Sequence, residues 1–270
     1  MRYTHQKYII RIYVNETKIM GGKMKIYFVN LQKYNIMRYK STAIVAFIVL
    51  VAVTFGFFAR IYRDELAVET VASERLIILD AGHGGEDPGT STPDGVLEKD
   101  LNLEITLLLG EMLIEKGYTV IYTRTEDKLL YAPEENIKGI RKISDLKNRC
   151  KIAKEYPDAI FISIHMNSFG SSKYSGLQVY YSTKHKDSEY LANLIQSSVK
   201  ENLQPQNNRK IKPGNEIYVL ENIENTGVLI ECGFLSNADE AKKLSEKEYQ
   251  KILCFSIICG IIEYMNEKTQ

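Results

Sequence analysis

Two of the four histidines close short apolar runs: His83 follows Leu76-Ile77-Ile78-Leu79-Asp80, and His165 follows Ile160-Phe161-Ile162-Ser163-Ile164. A third run, Val228-Leu229-Ile230, ends in Glu231. Histidine and glutamate both ligate metals and move protons. Three such groups at equivalent strand ends suggest a zinc hydrolase, whose catalytic ion takes three protein ligands and keeps a fourth position for water. A single histidine after a strand is more often structural, so the coincidence of all three carries the inference. Glu231 is the most telling, because a charge at the end of an apolar strand is costly unless paired, metal-bound or tuned as a base. On spacing alone it is an equal candidate for ligand and for base.

The residues around His83 fit such a site. Gly82, Gly84, Gly85 and Gly89 give 80–89 a side-chain-poor turn that a ligand can approach closely. A phosphate cradle is the competing reading, but Asp87 occupies the third glycine position of GxGxxG and no Walker lysine follows. Glu98 stands two residues before a helix expected to start at Asp100, near enough in sequence to reach the same metal. Taken alone, it reads as a dipole-favoured surface residue. Other nucleophile schemes fit poorly: GxSxG and HExxH are absent, and Cys232 points to the opposite strand face from Glu231. Cys150, Cys232, Cys254 and Cys259 show no CxxC spacing and read as free, buried thiols.

These groups need a scaffold that brings strand ends together. Apolar runs predict strands over 75–79, 119–123, 159–164, 177–181, 216–220 and 228–230, several of them continuous enough to be covered on both faces. Helices are predicted over 100–116, 144–155, 187–202 and 238–244, with a last helix running through about Tyr264 behind a Ser245/Glu248 capping box. The alternation argues an α/β fold over 74–266: a three-layer domain whose mostly parallel or mixed central sheet of about six strands is flanked by helices. In such sheets ligands bind beyond the carboxyl ends of the strands, where His83, His165 and Glu231 all fall. The stretch 125–144, broken by Pro133 and Gly139, is expected to be a loop near the site mouth.

Ahead of that domain the composition changes. Residues 1–41 carry nine Lys or Arg against one acid, which leaves 26 basic and 33 acidic residues downstream. The downstream excess of acid argues against a nucleic-acid surface. The uncharged run 43–59, with Ser41 and Thr42, nears the ~20 residues of a membrane span, so a transmembrane signal anchor is expected there. Its basic N-terminal flank puts 1–42 in the cytoplasm and everything after Arg60, a 60–73 tether and the domain beyond it, outside. No small-x-small pattern follows, so the anchor is expected to remain uncleaved. Residues 1–36 exceed what an anchor needs, and Met37 is the expected translation start.

At these residues the sequence resembles a known family. Over roughly Leu76 to Tyr264 it is similar to the zinc-dependent N-acetylmuramoyl-L-alanine amidases of the amidase type 3 family. The matching segments are Ile77-Ile78-Leu79-Asp80-Ala81-Gly82-His83-Gly84-Gly85 with Asp87-Pro88-Gly89, Leu97-Glu98-Lys99-Asp100, Thr123-Arg124 with Asp127, and Asn148-Arg149. They continue with Ser163-Ile164-His165-Met166-Asn167-Ser168 and Ile230-Glu231-Cys232-Gly233-Phe234-Leu235-Ser236-Asn237. Each is weak alone, and together in this order they are specific.

The resemblance implies a Zn²⁺ ion on His83, Glu98 and His165, with Glu231 as the catalytic carboxylate. The reaction it implies is hydrolysis of the amide between N-acetylmuramic acid and the L-alanine of the peptidoglycan stem peptide. Asn167, Arg209 and Lys212 fall near the expected groove as substrate contacts, against the alternative of solvated surface. One anchor, one catalytic domain and no wall-binding repeats match the sporulation and germination members, which act in muramic-δ-lactam formation in the spore cortex. Clostridial relatives of that kind imply a lipoprotein activator of the GerS type. His165 and Glu231 are only 66 residues apart, which leaves little room for the inhibitory helix of some cell-separation amidases. Thr226 departs from the family's proline and should alter loop shape rather than chemistry. Competing readings are a cell-separation amidase, a zinc peptidase of similar architecture and a non-catalytic peptidoglycan-binding module. The joint presence of His83, Glu98, His165 and Glu231 argues against the last.

Overall fold

A computed structural model describes residues 8–19, 22–33, 44–60, 76–131, 133–135, 137 and 140–268. The chain divides into two compact units, 1–67 and 68–270. In the first, β1 (Tyr8–Ile19) and β2 (Gly22–Lys33) form an antiparallel pair in continuous register from Tyr8↔Lys33 to Ile19↔Gly22. Isoleucine, valine and tyrosine recur through β1, as suits a pleated strand. The sequence reads these residues only as a basic cytoplasmic segment, and charge alone does not report strand propensity. Helix α1 covers 44–60 and leaves its apolar side chains exposed, Phe55 at 74% and Phe47 at 66%. Among the described residues no helix is long and apolar enough to cross a membrane. The start expected at Met37, the residues 41–43 that would lengthen the run and the tether beyond Arg60 lie outside the described residues.

The second unit is the α/β domain. Its elements are β3 (Leu76–Ala81), α2 (Glu98–Glu115), β4 (Thr119–Tyr122), α3 (Arg141–Glu155), β5 (Ile160–Asn167), β6 (Gln178–Tyr181), α4 (Ser188–Asn202), β7 (Lys212–Pro213), α5 (Tyr218–Asn222), β8 (Gly227–Phe234), α6 (Ala238–Leu244) and α7 (Lys247–Lys268). The sheet order is β4-β3-β5-β8-β6-β7. Strands β4, β3, β5 and β8 run parallel, and β6 turns antiparallel to β8. Six strands in a mixed sheet match the expected fold.

Period-two alternation builds both layers. Ile77 and Leu79 join Ile162, Ile164, Val228 and Ile230 beneath α2, α4 and α7, while Ile78, Phe161 and Leu229 pack beneath α3 and α5. Burial on both faces is why these strands read as continuous apolar runs. The order 4-3-5-8 puts the carboxyl ends of β3, β5 and β8 side by side at the centre of the sheet.

Three expectations are corrected. The segment predicted as a strand over 216–220 runs from a turn into α5, which starts at Tyr218, and the sixth strand is the two-residue β7. The apolar Ile217, Val219 and Leu220 suit a strand, but their burial covers the α3 face of the sheet and does not extend it. Ser245 caps no helix start; it ends α6, its hydroxyl donating to the Ala241 carbonyl. Helix α2 begins at Glu98, so this residue lies inside the first turn rather than ahead of it.

Candidate active site

The sheet delivers His83 on the turn after β3, His165 near the end of β5 and Glu98 on the first turn of α2. One ligand atom from each lies within 4.8 Å of the others. Glu98 Oε1 is 3.2 Å from His83 Nε2 and 3.0 Å from His165 Nδ1, and the two imidazoles meet edge to face at 4.9 Å between centroids. Glu98 is held from behind: the Thr90 amide donates to Oε2 at 2.8 Å, and the Met166 amide to Oε1 at 3.1 Å.

The backbone allows this convergence at two glycines. A Cβ on Gly82 would stand 2.1 Å from His165 Nε2, and one on Gly89, where φ is +66°, would stand 2.4 Å from Glu98 Oε2. His83 itself has φ of 61°, in the left-handed region that costs a non-glycine residue free energy and persists only where its surroundings enforce it.

Two buried arginines supply that enforcement. Arg149, from α3, donates to the His83 carbonyl at 2.7 Å, the Ala81 carbonyl at 2.7 Å and Asp80 Oδ1 at 2.5 Å, with Asp145 on its Nε at 2.8 Å. Arg124, after β4, donates to the carbonyls of Ala81, Gly82 and Lys99, each at 2.9 Å. Asp80 also accepts from Thr123 and Ser163 hydroxyls. Burial alone would raise the Asp80 pKa, but Arg149 and the two hydroxyls hold it below the usual carboxylate range. All of these but Asp145 lay within the matching motifs, yet their role was not foreseen; the available signal was an aspartate closing an apolar strand and an arginine on the buried side of α3, charges that persist in a core only when paired.

The donor set suits a divalent metal. His83 presents Nε2 to the centre because its Nδ1 donates to Asp87 Oδ2 at 2.9 Å, the carboxylate-histidine arrangement that fixes the ring orientation of metal ligands. Asp87 was not foreseen in this role. Burial lowers the His83 pKa, but hydrogen bonds to Asp87 and Glu98 outweigh it and raise the value to about 9. The negative charge of this pocket thus calls for a cation. Asp87 and Glu98 are correspondingly held far below their usual range, Asp87 chiefly by its bond to His83, Glu98 by the two histidines against burial.

Glu231 stands directly opposite His165 in the β5–β8 register. Its Oε2 is buried with no hydrogen-bond partner among the described residues. Burial, with the nearby charge of Glu98, raises its pKa to about 7 against the lowering effect of His165. A carboxylate poised near neutrality with one open acceptor oxygen has the chemistry of a general base. The three-donor cluster that could hold a metal forms without Glu231.

The expected substrate contacts divide. Asn167 ends β5 across from Phe234, its carbonyl accepting from the Leu235 amide. Arg209 stacks over the Phe234 ring at 4.3 Å and donates to Gln178, the residue that pairs with Glu231. Lys212 is exposed on β7 beside Tyr180, one strand further out. Cys150, Cys232, Cys254 and Cys259 are free, and burial pushes the first to about 11 and the third to about 12, far from thiolate chemistry. Thr226 immediately precedes β8, its hydroxyl 3.0 Å from His185 Nδ1, five residues before Glu231 and away from the chemistry.

A parallel-rich α/β sheet carrying a His-Glu-His cluster able to hold a metal, with a glutamate opposite, defines a class of hydrolase. The chain belongs to the N-acetylmuramoyl-L-alanine amidase family, whose model matches residues 77–263. It is 41% identical over 198 residues to the germination-specific N-acetylmuramoyl-L-alanine amidase of Bacillus subtilis, covering 73% of this chain and 82% of that one. Among solved structures it is similar to the CwlD amidase of Clostridioides difficile in complex with the GerS lipoprotein, with TM-score 0.69, 42% identity and coverage of 72% and 99%. An N-acetylmuramoyl-L-alanine amidase from Clostridium difficile 630 follows at TM-score 0.63 and 30% identity, covering 72% and 97%.

Proposed function

We propose that this amidase is zinc-dependent, that it cleaves the bond joining N-acetylmuramic acid to L-alanine of the stem peptide, and that it works in spore cortex maturation and germination. The observation that carries the chemistry is Glu231, half-buried with its Oε2 buried and open, in register with His165 and beside but outside the three-donor cluster. His83, Glu98 and His165 would hold the ion. Zinc at such a donor set supplies Lewis acidity, which polarises an amide carbonyl and makes water a nucleophile near neutral pH.

The chain's own residues do the rest. Glu231 takes the proton of the attacking water on Oε2 and returns it to the departing alanine nitrogen. Asp87 holds His83 in the tautomer that turns Nε2 inward. Arg149 and Arg124 fix the carbonyls of 81–83, so the turn does not shift while charge develops.

The spore role rests on likeness to the germination-specific enzyme of Bacillus subtilis. The CwlD structure with GerS supports a lipoprotein partner of that type, and the family supports peptidoglycan as substrate. The uncharged run 43–59 behind a basic flank supports a single-pass anchor with the catalytic domain outside the cytoplasm, in the intermembrane space of the forespore.

The test is digestion of defined muropeptides by the full chain with and without Zn²⁺, read by mass spectrometry. Intact stem peptides with a free L-alanine amine should appear only with zinc. Cleavage within the peptide, or product formed equally without metal, overturns the reading.

A further inference from the structure

One turn after Glu98 on α2, Asn102 is wholly buried. Its amide nitrogen donates to the Gly82 carbonyl at 3.1 Å and to Glu98 Oε1 at 3.4 Å. A carbonyl and a carboxylate only accept, so the amide faces both with its NH2 end. Oδ1 is thereby turned away and has no partner among the described residues. An unpaired buried acceptor costs desolvation free energy with no bond in return, and folded proteins carry few of them. Packing alone does not require that cost. The Gly82 carbonyl also accepts from Arg124 Nη2 at 2.9 Å, and Glu98 Oε1 from the Met166 amide at 3.1 Å, so neither would be orphaned without Asn102. An apolar side chain of similar shape would remove the unpaired oxygen and leave both acceptors bonded.

What such a side chain would lose is a link between segments. Gly82 is where they meet: it precedes His83, and its amide donates at 3.1 Å to the carbonyl of Ile164, the residue before His165. Its own carbonyl receives Asn102, whose other bond goes to Glu98. We propose that Asn102 is a positioning residue of the metal centre: it fixes the Glu98 carboxylate of α2 against the His83 and His165 segments at Gly82, and sets metal affinity through that link without ligating the ion. The inference rests on the zinc-amidase reading and extends it to a residue outside the three-donor cluster. Thr106, one turn further along α2, supplies an internal comparison. It too is wholly buried, and its hydroxyl has no partner among the described residues, so it carries the same defect without the link.

The experiment uses the full chain and measures zinc affinity by competition with a chromophoric chelator, the thermal midpoint of the metal-free protein, and the visible absorption spectrum of the cobalt(II)-loaded protein. Asn102→Leu should bind zinc about ten- to a hundredfold more weakly, the loss that follows when a hydrogen-bonding partner of a metal ligand is removed. Its metal-free midpoint should stay at or above that of the wild type, and its cobalt spectrum should shift. Asn102→Ala, which breaks the link without added volume, should show the same loss of affinity where leucine proves too bulky to fold. Thr106→Val should leave affinity and spectrum as in the wild type. Wild-type zinc affinity, or an unshifted cobalt spectrum, in folded Asn102→Leu and Asn102→Ala overturns the positioning role. An equal loss in Thr106→Val also overturns it, because the effect would then belong to the packing of α2. Asn102-dependent zinc binding in a chain that frees no L-alanine amine from muropeptides supports the role and overturns the amidase reading alone; a wild type that binds no zinc overturns both.

Discussion

Glu231 and His83 make opposite demands on protons, and that difference is testable. Burial raises Glu231 to about 7 because it penalises the charged carboxylate, so the group can both accept and return a proton near neutrality. Replacing it with glutamine keeps the shape and removes the proton acceptor; turnover should fall by about two to four orders of magnitude. Zinc content, measured by atomic absorption, should stay at wild-type stoichiometry, since Glu231 stands outside the cluster. Undiminished turnover in Glu231→Gln would falsify its assignment as base. His83 is held protonated in the metal-free protein up to about pH 9 by Asp87 and Glu98. Binding zinc must displace that proton, so affinity should rise about tenfold per pH unit below 9 and then level off. Competition against a chromophoric chelator at pH 6.5, 7.5 and 8.5 checks the slope. The sign also fixes stability: a raised pKa stabilises the metal-free fold below the unfolded histidine value near 6.5, and that contribution is lost as pH climbs through about 9.

The elements show which parts of this architecture were legible. The strands that position His83, His165 and Glu231 were readable because burial on both faces writes continuous apolar runs, and those runs placed the three groups toward the carboxyl ends; the strands themselves run on, β5 two residues past His165 and β8 three past Glu231. Glu98 was readable only through the family motif, since a glutamate at a helix start is ordinary, and the contact with two histidines is made by tertiary packing. The α5 segment misled because a short apolar stretch suits strand and buried helix equally. What no pattern shows is the clamp from α3: Arg149 spans from Asp145 on its own helix to Asp80 and the His83 carbonyl on the β3 turn. Arg149→Met should strand two buried carboxylates and cost about 3–5 kcal/mol, lowering the thermal midpoint. Arg149→Lys should recover part of that stability but not the His83 contact, because an ammonium cannot reproduce the guanidinium fork. Its zinc affinity should therefore remain depressed in chelator competition even where the fold is regained. Wild-type affinity in a folded Arg149→Lys protein would show that the left-handed turn holds itself.

At the scale of the molecule the question is where the catalytic domain works, and α1 is the element that decides it. Its apolar side chains are exposed along 44–60, with Phe47, Phe55 and Phe57 each more than 60% accessible, a cost that a water-soluble protein does not ordinarily sustain. Within the described residues the helix is too short to qualify as a span, and the uncharged residues that could lengthen it lie outside them. A hydrocarbon core needs about 20 residues, and Ser41 to Ala59 comes close without a charge. If α1 anchors the chain, the full protein should stay in the membrane fraction through alkaline carbonate and high salt, because neither breaks apolar insertion. Replacing Val49 and Val53 with lysine should release it, since a charge near the centre of a span costs about 2.5–3.5 kcal/mol on insertion scales. Orientation follows from Arg38 and Lys40: exchanging both for glutamate weakens the positive-inside bias, and protease added to intact spheroplasts should then degrade less of the catalytic domain. Release of the unaltered chain by salt alone would mean that surface charge, rather than α1, holds it, and the extracytoplasmic assignment would lose its physical basis.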